Sequence, residues 1–283
     1  MILHKIHWPS LLLFHIVLPV VEPLVLTYLL IYFFPKKEVI QFVKPISSFD
    51  SLLIEKIGLL YVVVVFCLIF TLFHQVLIKL CHRNYIINPQ KQYYDGPVHL
   101  LELAVLLDSA RTINARTVPV WQFMFLELHK SQFPCSLINF EIPDTFIADQ
   151  ESHITVNRIA GSHPESKRLV IGIADTYGIN YNDLPVSLKK NNYIEIISNR
   201  SKLGREYNSN LVQKFSEEIS KARQNEVQEI IILPNTIPKH IVEIVRESFS
   251  DAGRNGAMKI YVNECVKNSS GVFQYTEKAH RVL

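Results

Sequence analysis

At 283 residues the chain has room for a membrane hairpin and one full domain. A net charge of +3 is too mild to mark a nucleic-acid surface by itself, and basic residues beside apolar spans contact lipid headgroups more often. The four cysteines, Cys67, Cys81, Cys135 and Cys265, have no metal-ligand spacing, and a disulfide framework does not fit thiols inside and at the end of an apolar run.

Two apolar runs dominate the first 80 residues. Residues 8–34 and 57–80 are each long enough to cross a bilayer, which takes about 20 apolar residues at 1.5 Å per residue. The first run does not read as a cleaved signal, because Pro19, Pro23 and the bulky Leu29-Leu30-Ile31-Tyr32 leave no small-residue cleavage site. Loop charges do not orient the hairpin: Lys5, Lys79, Arg83 and Lys91 on one side balance Lys36, Lys37, Lys44 and Lys56 on the other.

The polar residues within the spans carry more information. His15, Pro19, Glu22 and Leu26 recur at helical spacing and are expected on one face. Cys67, Thr71, His74, Gln75 and Lys79 form a similar stripe on the second run. In an antiparallel hairpin His15 lies about 10 Å from the level of Glu22, at a depth near that of His74. Two readings stay open. One is a packed hairpin with internal hydrogen bonds. The other is an oligomeric bundle with Glu22 facing its interior, since an ionisable residue inside a membrane defaults to function. His15, Glu22 and His74 are the candidates for membrane function.

Residues 81–95 read as a linker and 96–283 as a globular α/β domain. Residues 97–110 are helical, with Leu100, Leu101, Leu103, Ala104 and Leu107 expected on the buried side. Residues 118–130 are ambiguous, because Trp121, Phe123 and Phe125 recur at period two. Strand-like runs follow at 136–142 and 153–159. From residue 168 onward strands are expected at 168–174, 192–197, 229–233 and 258–263. Helices lie between them at 208–224, capped by Asn208 or Ser209, and at 237–250, with Pro238 in the first turn. Strand, helix, strand, helix, strand with short connections argues a parallel sheet.

Ligands of open parallel sheets bind beyond the carboxyl ends of the strands. The candidate ligand-binding residues are therefore Asp175, Thr176 and Tyr177, then Ser198, Asn199, Arg200, Lys202 and Arg205, and then Asn235, Thr236 and Lys239. With nine glycines and no Gly-x-Gly-x-x-Gly or Gly-x-x-x-x-Gly-Lys on these turns, no dinucleotide cofactor or P-loop nucleotide is expected. His153, His163 and His240 are scattered, and nothing pairs Asp144, Asp149 or Asp175, so no catalytic or metal constellation is expected.

The strand Leu169-Val-Ile-Gly-Ile-Ala174, the long helix before Glu229-Ile-Ile-Ile-Leu233, and the junction Pro234-Asn-Thr-Ile-Pro238 resemble part of the SAVED family. These are cyclic-oligonucleotide sensors of bacterial CBASS anti-phage systems, built from two CARF-like halves. The resemblance covers about residues 169–266. It implies two transmembrane α-helices followed by an α/β Rossmann-like (SAVED/CARF-like) domain. It also implies a non-enzymatic receptor in the bacterial inner membrane with its C-terminal domain in the cytoplasm. Its partners would be a cyclic oligonucleotide, the lipid bilayer and further copies of the chain, and no duplex nucleic acid. Ligand would drive oligomerisation, and the spans would disrupt or depolarise the membrane. The chemistry agrees, since each phosphate needs cationic donors and bases stack on aromatics, which Arg200, Lys202, Arg205 and Tyr177 can supply. A membrane-anchored nucleotide or lipid hydrolase and a passive tether remain alternatives.

Overall fold

The computed structural model describes residues 4–33, 60–73, 76, 85–88, 90, 92–107, 112–142, 146–147, 153–163, 165–198, 206–249, 258–267 and 273–283. The chain divides into two compact units, one of Met1–Ile113 with Leu137–Asn139 and one of Asn114–Ser136 with Phe140–Leu283. Sequence alone started the second body at residue 96.

The first unit begins with a short strand, β1 (His4–Ile6), that feeds helix α1 (Trp8–Phe33). At 26 residues and mean hydropathy 2.1, α1 is long and apolar enough to cross a membrane. Residues Leu13–Val17 form a π-helical turn just ahead of Pro19. Pro19 and Pro23 each withhold an N–H from the helical ladder, which loosens it at this point. Leu11, His15, Pro19, Pro23 and Thr27 are buried at every fourth position, and the Thr27 hydroxyl donates to the Pro23 carbonyl at 2.7 Å. Glu22 and Leu26 are exposed. The expected common face of His15 and Glu22 is therefore split, because a π turn takes up an extra residue and shifts the phase of what precedes it.

Helix α2 (Leu60–Phe73) is apolar and shorter, so among the described residues α1 alone has the length of a span. His74 and Gln75 lie outside the described residues. Strand β2 (Gln92–Tyr94), within the expected linker, pairs in parallel with β1, Lys5 opposite Tyr93. An ion pair of 2.9 Å joins Lys5 to Asp95 beside it. Helix α3 (Val98–Leu107) follows and packs on the first turns of α1, burying Val98, Leu101, Glu102, Ala104 and Val105. Leu103, expected inward, faces outward. Strands β3 (Thr112–Asn114) and β4 (Asn139–Glu141) lie on the division between the units.

In the second unit helix α4 (Val120–Leu128) resolves the ambiguous segment. Pro119 precedes its first turn, and Phe123, Met124 and Leu126 are buried. Aromatics at period two mislead here because Trp121 and Phe125 are only half-buried flanks of a helix. The two-residue strand β5 (Phe146–Ile147) pairs with β9 (Glu206–Tyr207). The centre is a six-stranded sheet of β6 (Ile154–Ile159), β7 (Arg168–Ala174), β8 (Asn192–Ser198), β10 (Glu229–Asn235), β11 (Lys259–Val262) and β14 (His280–Arg281). Its order is β14-β11-β10-β7-β8-β6. The four inner strands are parallel, and β6 and β14 close the edges antiparallel. The inner strands are near-continuous apolar runs because both faces of the sheet are covered.

Helix α6 (Ser209–Gln224) links β8 to β10, and α7 (Pro238–Phe249) links β10 to β11. Leu211, Val212, Phe215 and Ile219 of α6 and Ile241, Ile244, Val245 and Phe249 of α7 are buried. The other face carries Val170, Ala174, Tyr193, Ile231 and Leu233. Ile179, Leu184 and Leu188 of the β7–β8 connection pack over it. That connection includes the short helix α5 (Val186–Lys189). Hairpin β12 (Cys265–Lys267) and β13 (Phe273–Tyr275) adds Tyr275 to the same face.

Candidate functional site

The chain leaves β7 for its neighbour β8, then crosses to the opposite side of β7 to form β10. The strand order thus reverses between β7 and β10. Parallel sheets open a ligand crevice at such a reversal, beyond the carboxyl ends of the strands. Ala174 is in register with Asn235, so the two strands end side by side.

The loops leaving these strands are stitched together. The Asn235 carbonyl accepts the N–H groups of Asp175 and Thr176, both at 3.0 Å. The Asn235 side-chain amide donates to the Tyr177 carbonyl at 2.8 Å. Thr236 Oγ1 donates to Asp175 Oδ2 at 2.8 Å and lies 2.7 Å from His240 Nδ1. His240, one turn into α7, is fully buried, and its Nε2 accepts the Asn208 backbone N–H at 2.8 Å. Asn208 caps α6 by accepting the Asn210 N–H and reaches Ser198, at the end of β8, with its amide at 3.3 Å. One buried polar network therefore ties together the ends of β7, β8 and β10 and the starts of α6 and α7.

Of the residues expected from sequence, Asp175, Thr176, Tyr177, Asn235 and Thr236 meet at this reversal, and Ser198 joins through Asn208. Asp175 points inward, its side chain wholly inaccessible. Asp175 and Thr236 hold the loops in place, while Tyr177 stands out from them with 70% of its surface exposed. Lys239 places its ammonium 4.5 Å over the ring of Tyr207, a cation–π pair at the start of α7. Burial, with the carboxylates of Glu243 and Glu247, raises the Tyr207 hydroxyl above its ordinary pKa. Asn199, Arg200, Lys202 and Arg205 lie outside the described residues. Sequence reasoning missed Tyr207 and His240 as members of this end of the sheet. The Thr236–His240 spacing of four across a helix start was the available signal.

A cavity of about 330 Å³ opens at the ends of β7 and β8, lined by Ala174, Gly178, Ile179, Asn180, Glu195 and Ile197. This is the small end of the range for ligand pockets. Glu195 is its one ionisable lining group. Burial raises its carboxyl above the usual range, while hydrogen bonds from the Asn157 side chain and the Ile179 N–H pull the other way. Among the described residues no three His, Cys, Asp or Glu side chains gather as a metal site.

The profile of the SMODS- and Ubiquitin system-associated 2TM effector domain family matches residues 1–283, and the chain belongs to that family. Similar solved structures include the Acinetobacter baumannii Cap4 SAVED/CARF-domain containing receptor with the cyclic trinucleotide 2'3'3'-cAAA, at 13% identity and TM-score 0.39. That match covers 65% of this chain and 43% of the receptor. The same receptor with 3'3'3'-cAAA gives 13% identity and TM-score 0.38, covering 65% and 42%. The chain thus spans less than half the length of these receptors. A comparison with curated protein sequences finds no match.

Proposed function

We propose that this 2TM effector is a membrane-anchored receptor for a cyclic oligonucleotide, with a Rossmann-like sensor, acting in a CBASS-type anti-phage response. The observation that carries the reading is the reversal of strand order between β7 and β10. There Tyr177, Lys239 and Tyr207 offer aromatic faces and a cation beside loops held rigid by the Asp175–Thr236–His240–Asn208 network. A ring of phosphates and bases needs both kinds of group. The family's association with SMODS systems and its two-span effector supports the same reading. The domain reads the ligand without chemistry. It sits on the cytoplasmic side of a bacterial inner membrane, and ligand-driven oligomerisation assembles the spans into a lesion or pore.

Glu22 is the residue of the membrane part most tied to this outcome. It is exposed on α1 and away from the buried stripe of that helix, so a neighbouring copy or a hydrated path has to satisfy it.

Calorimetry of the full chain in nanodiscs with 2'3'3'- and 3'3'3'-cyclic triadenylate tests the site. Saturable binding is expected with at least one ring, weakened about tenfold or more in Lys239→Ala, as for loss of one charge-assisted contact. The bound ring is recovered intact. Hydrolysed product would favour an enzyme, and equal affinity in Lys239→Ala would move the site away from α7.

A further inference from the structure

Helices α6 and α7 show what a water-facing helix of this protein looks like. The outward positions of α6 are Ser209, Gln213, Ser220, Lys221 and Gln224. Helix α3 does not follow that rule. Its sequence Val-His-Leu-Leu-Glu-Leu-Ala-Val-Leu-Leu carries two polar residues, His99 and Glu102, paired with each other at 3.0 Å near its start, and is otherwise apolar. Leu101, Ala104 and Val105 are fully buried, and Leu103 and Leu106 still face outward beside one another, at 37% and 39% exposure. Beyond the His99–Glu102 pair, this helix turns leucines outward where α6 turns polar side chains, and such a face belongs in a protein core or in lipid.

Its position selects lipid. Helix α3 packs on residues 8–17 of α1, where Leu11 and His15 are buried. On those same turns of α1, Trp8, Leu13 and Phe14 are about half exposed. The paired strands β1 and β2, with the ion pair of Lys5 and Asp95, lie directly before α1 and α3. Both helices therefore start from one polar level and share one apolar surface. At ten residues α3 is about 15 Å long, half the thickness of a bilayer core, so it is too short to add a third span.

We infer that α3 is a membrane-interfacial helix whose Leu103 and Leu106 enter the headgroup–acyl boundary of one leaflet beside the first span. The inference rests on reading α1 as that span. The segment that precedes the second unit is thereby seated at the bilayer surface. An apolar helix face of this kind sits about 5–10 Å into the boundary.

The test uses the full chain in phosphatidylcholine–phosphatidylglycerol vesicles, with its four cysteines replaced by serine. A single NBD-labelled cysteine is placed by Leu103→Cys or, in a second protein, Leu106→Cys. Val25→Cys on α1 gives the deep reference and Ser209→Cys on α6 the aqueous one. Blue-shifted emission at 103 and 106, quenched most by lipids brominated near the headgroup, is expected alongside Val25 quenched by deeply brominated lipid. Emission at both positions matching Ser209 while Val25 is quenched would overturn the interfacial helix and leave the span intact. A Val25 probe matching Ser209 would overturn the span and the inference with it.

Discussion

The Asn208 backbone N–H points at His240 Nε2 across 2.8 Å, and this one bond fixes the imidazole. With Nε2 accepting, the ring proton sits on Nδ1, facing Thr236 Oγ1 at 2.7 Å and Asp175 Oδ2 at 3.3 Å. Each group then has a role: Nδ1 donates to the threonine oxygen, and the threonine hydroxyl donates to the carboxylate.

His240→Leu leaves the Asn208 N–H and the Thr236–Asp175 pair in a buried place with their partner gone. A stability loss of about 2–4 kcal/mol is expected, because buried polar groups without partners are costly. Denaturant titration of the full chain in detergent measures it. A loss under about 0.5 kcal/mol would mean the network does not hold this end of the sheet.

Gly172 and Tyr193 make a matched pair on the opposite face. A Cβ at Gly172 would lie 2.4 Å from the Tyr193 hydroxyl and 3.0 Å from Ile179 Cδ1. Among the described residues that hydroxyl is buried with no hydrogen-bond partner. Gly172→Ala is expected to cost about 1–3 kcal/mol by overpacking. Tyr193→Phe alone should be neutral or stabilising, and it should recover much of the loss in the double variant. Additive effects in that cycle would place the strain elsewhere.

The strands of the second unit were legible because Arg168–Ala174, Asn192–Ser198 and Glu229–Asn235 are mostly apolar stretches ending in polar loops, broken inside only by Glu195. The cap at Asn208 was legible for the same local reason. Four things were not. Strand β2 hides in an apparent linker, since its partner β1 lies near the start of the chain, far from it in sequence. Helix α4 is apolar enough that its aromatics mimic a strand. The inward turn of Asp175 depends on the register of β7 against β10, which brings Thr236 and His240 to it and which no local pattern encodes. On α1, helical spacing alone put Glu22 with His15, and the π turn at Leu13–Val17 undid that phase.

At the other end of the sheet, Arg168, Glu229 and Lys259 face one another in register across three strands. Hydrogen bonds from Arg168 chiefly, against the opposing effect of burial, and then the charges of Arg168 and Lys259 hold the Glu229 carboxyl below its usual range. A depressed carboxyl contributes stability that is present above the ordinary carboxylate pKa of about 4.3 and lost as pH falls through the lower folded value. The pairs are partly solvated, so about 1 kcal/mol at most is at stake. Denaturation midpoints from about pH 5 down to about pH 3 should fall less in Glu229→Gln than in the parent. Parallel curves would remove this cluster from the acid response.

Glu22→Leu should abolish ligand-dependent membrane activity while leaving ring affinity unchanged, and Glu22→Gln should keep assembly and alter cation preference. Conductance of planar bilayers with each purified variant reads both effects. Full conductance from a well-inserted Glu22→Leu protein would return this residue to a packing role.

The most direct measurement is dye release from vesicles carrying the purified full chain, followed as a cyclic triadenylate is added. A ligand can move the spans only if it binds the assembled state better than the separate one. The account predicts no release without ligand, release that rises with ligand and with protein density, and none from Lys239→Ala at the concentration that saturates the parent. Tight binding of the ring with no release at any protein density would contradict it.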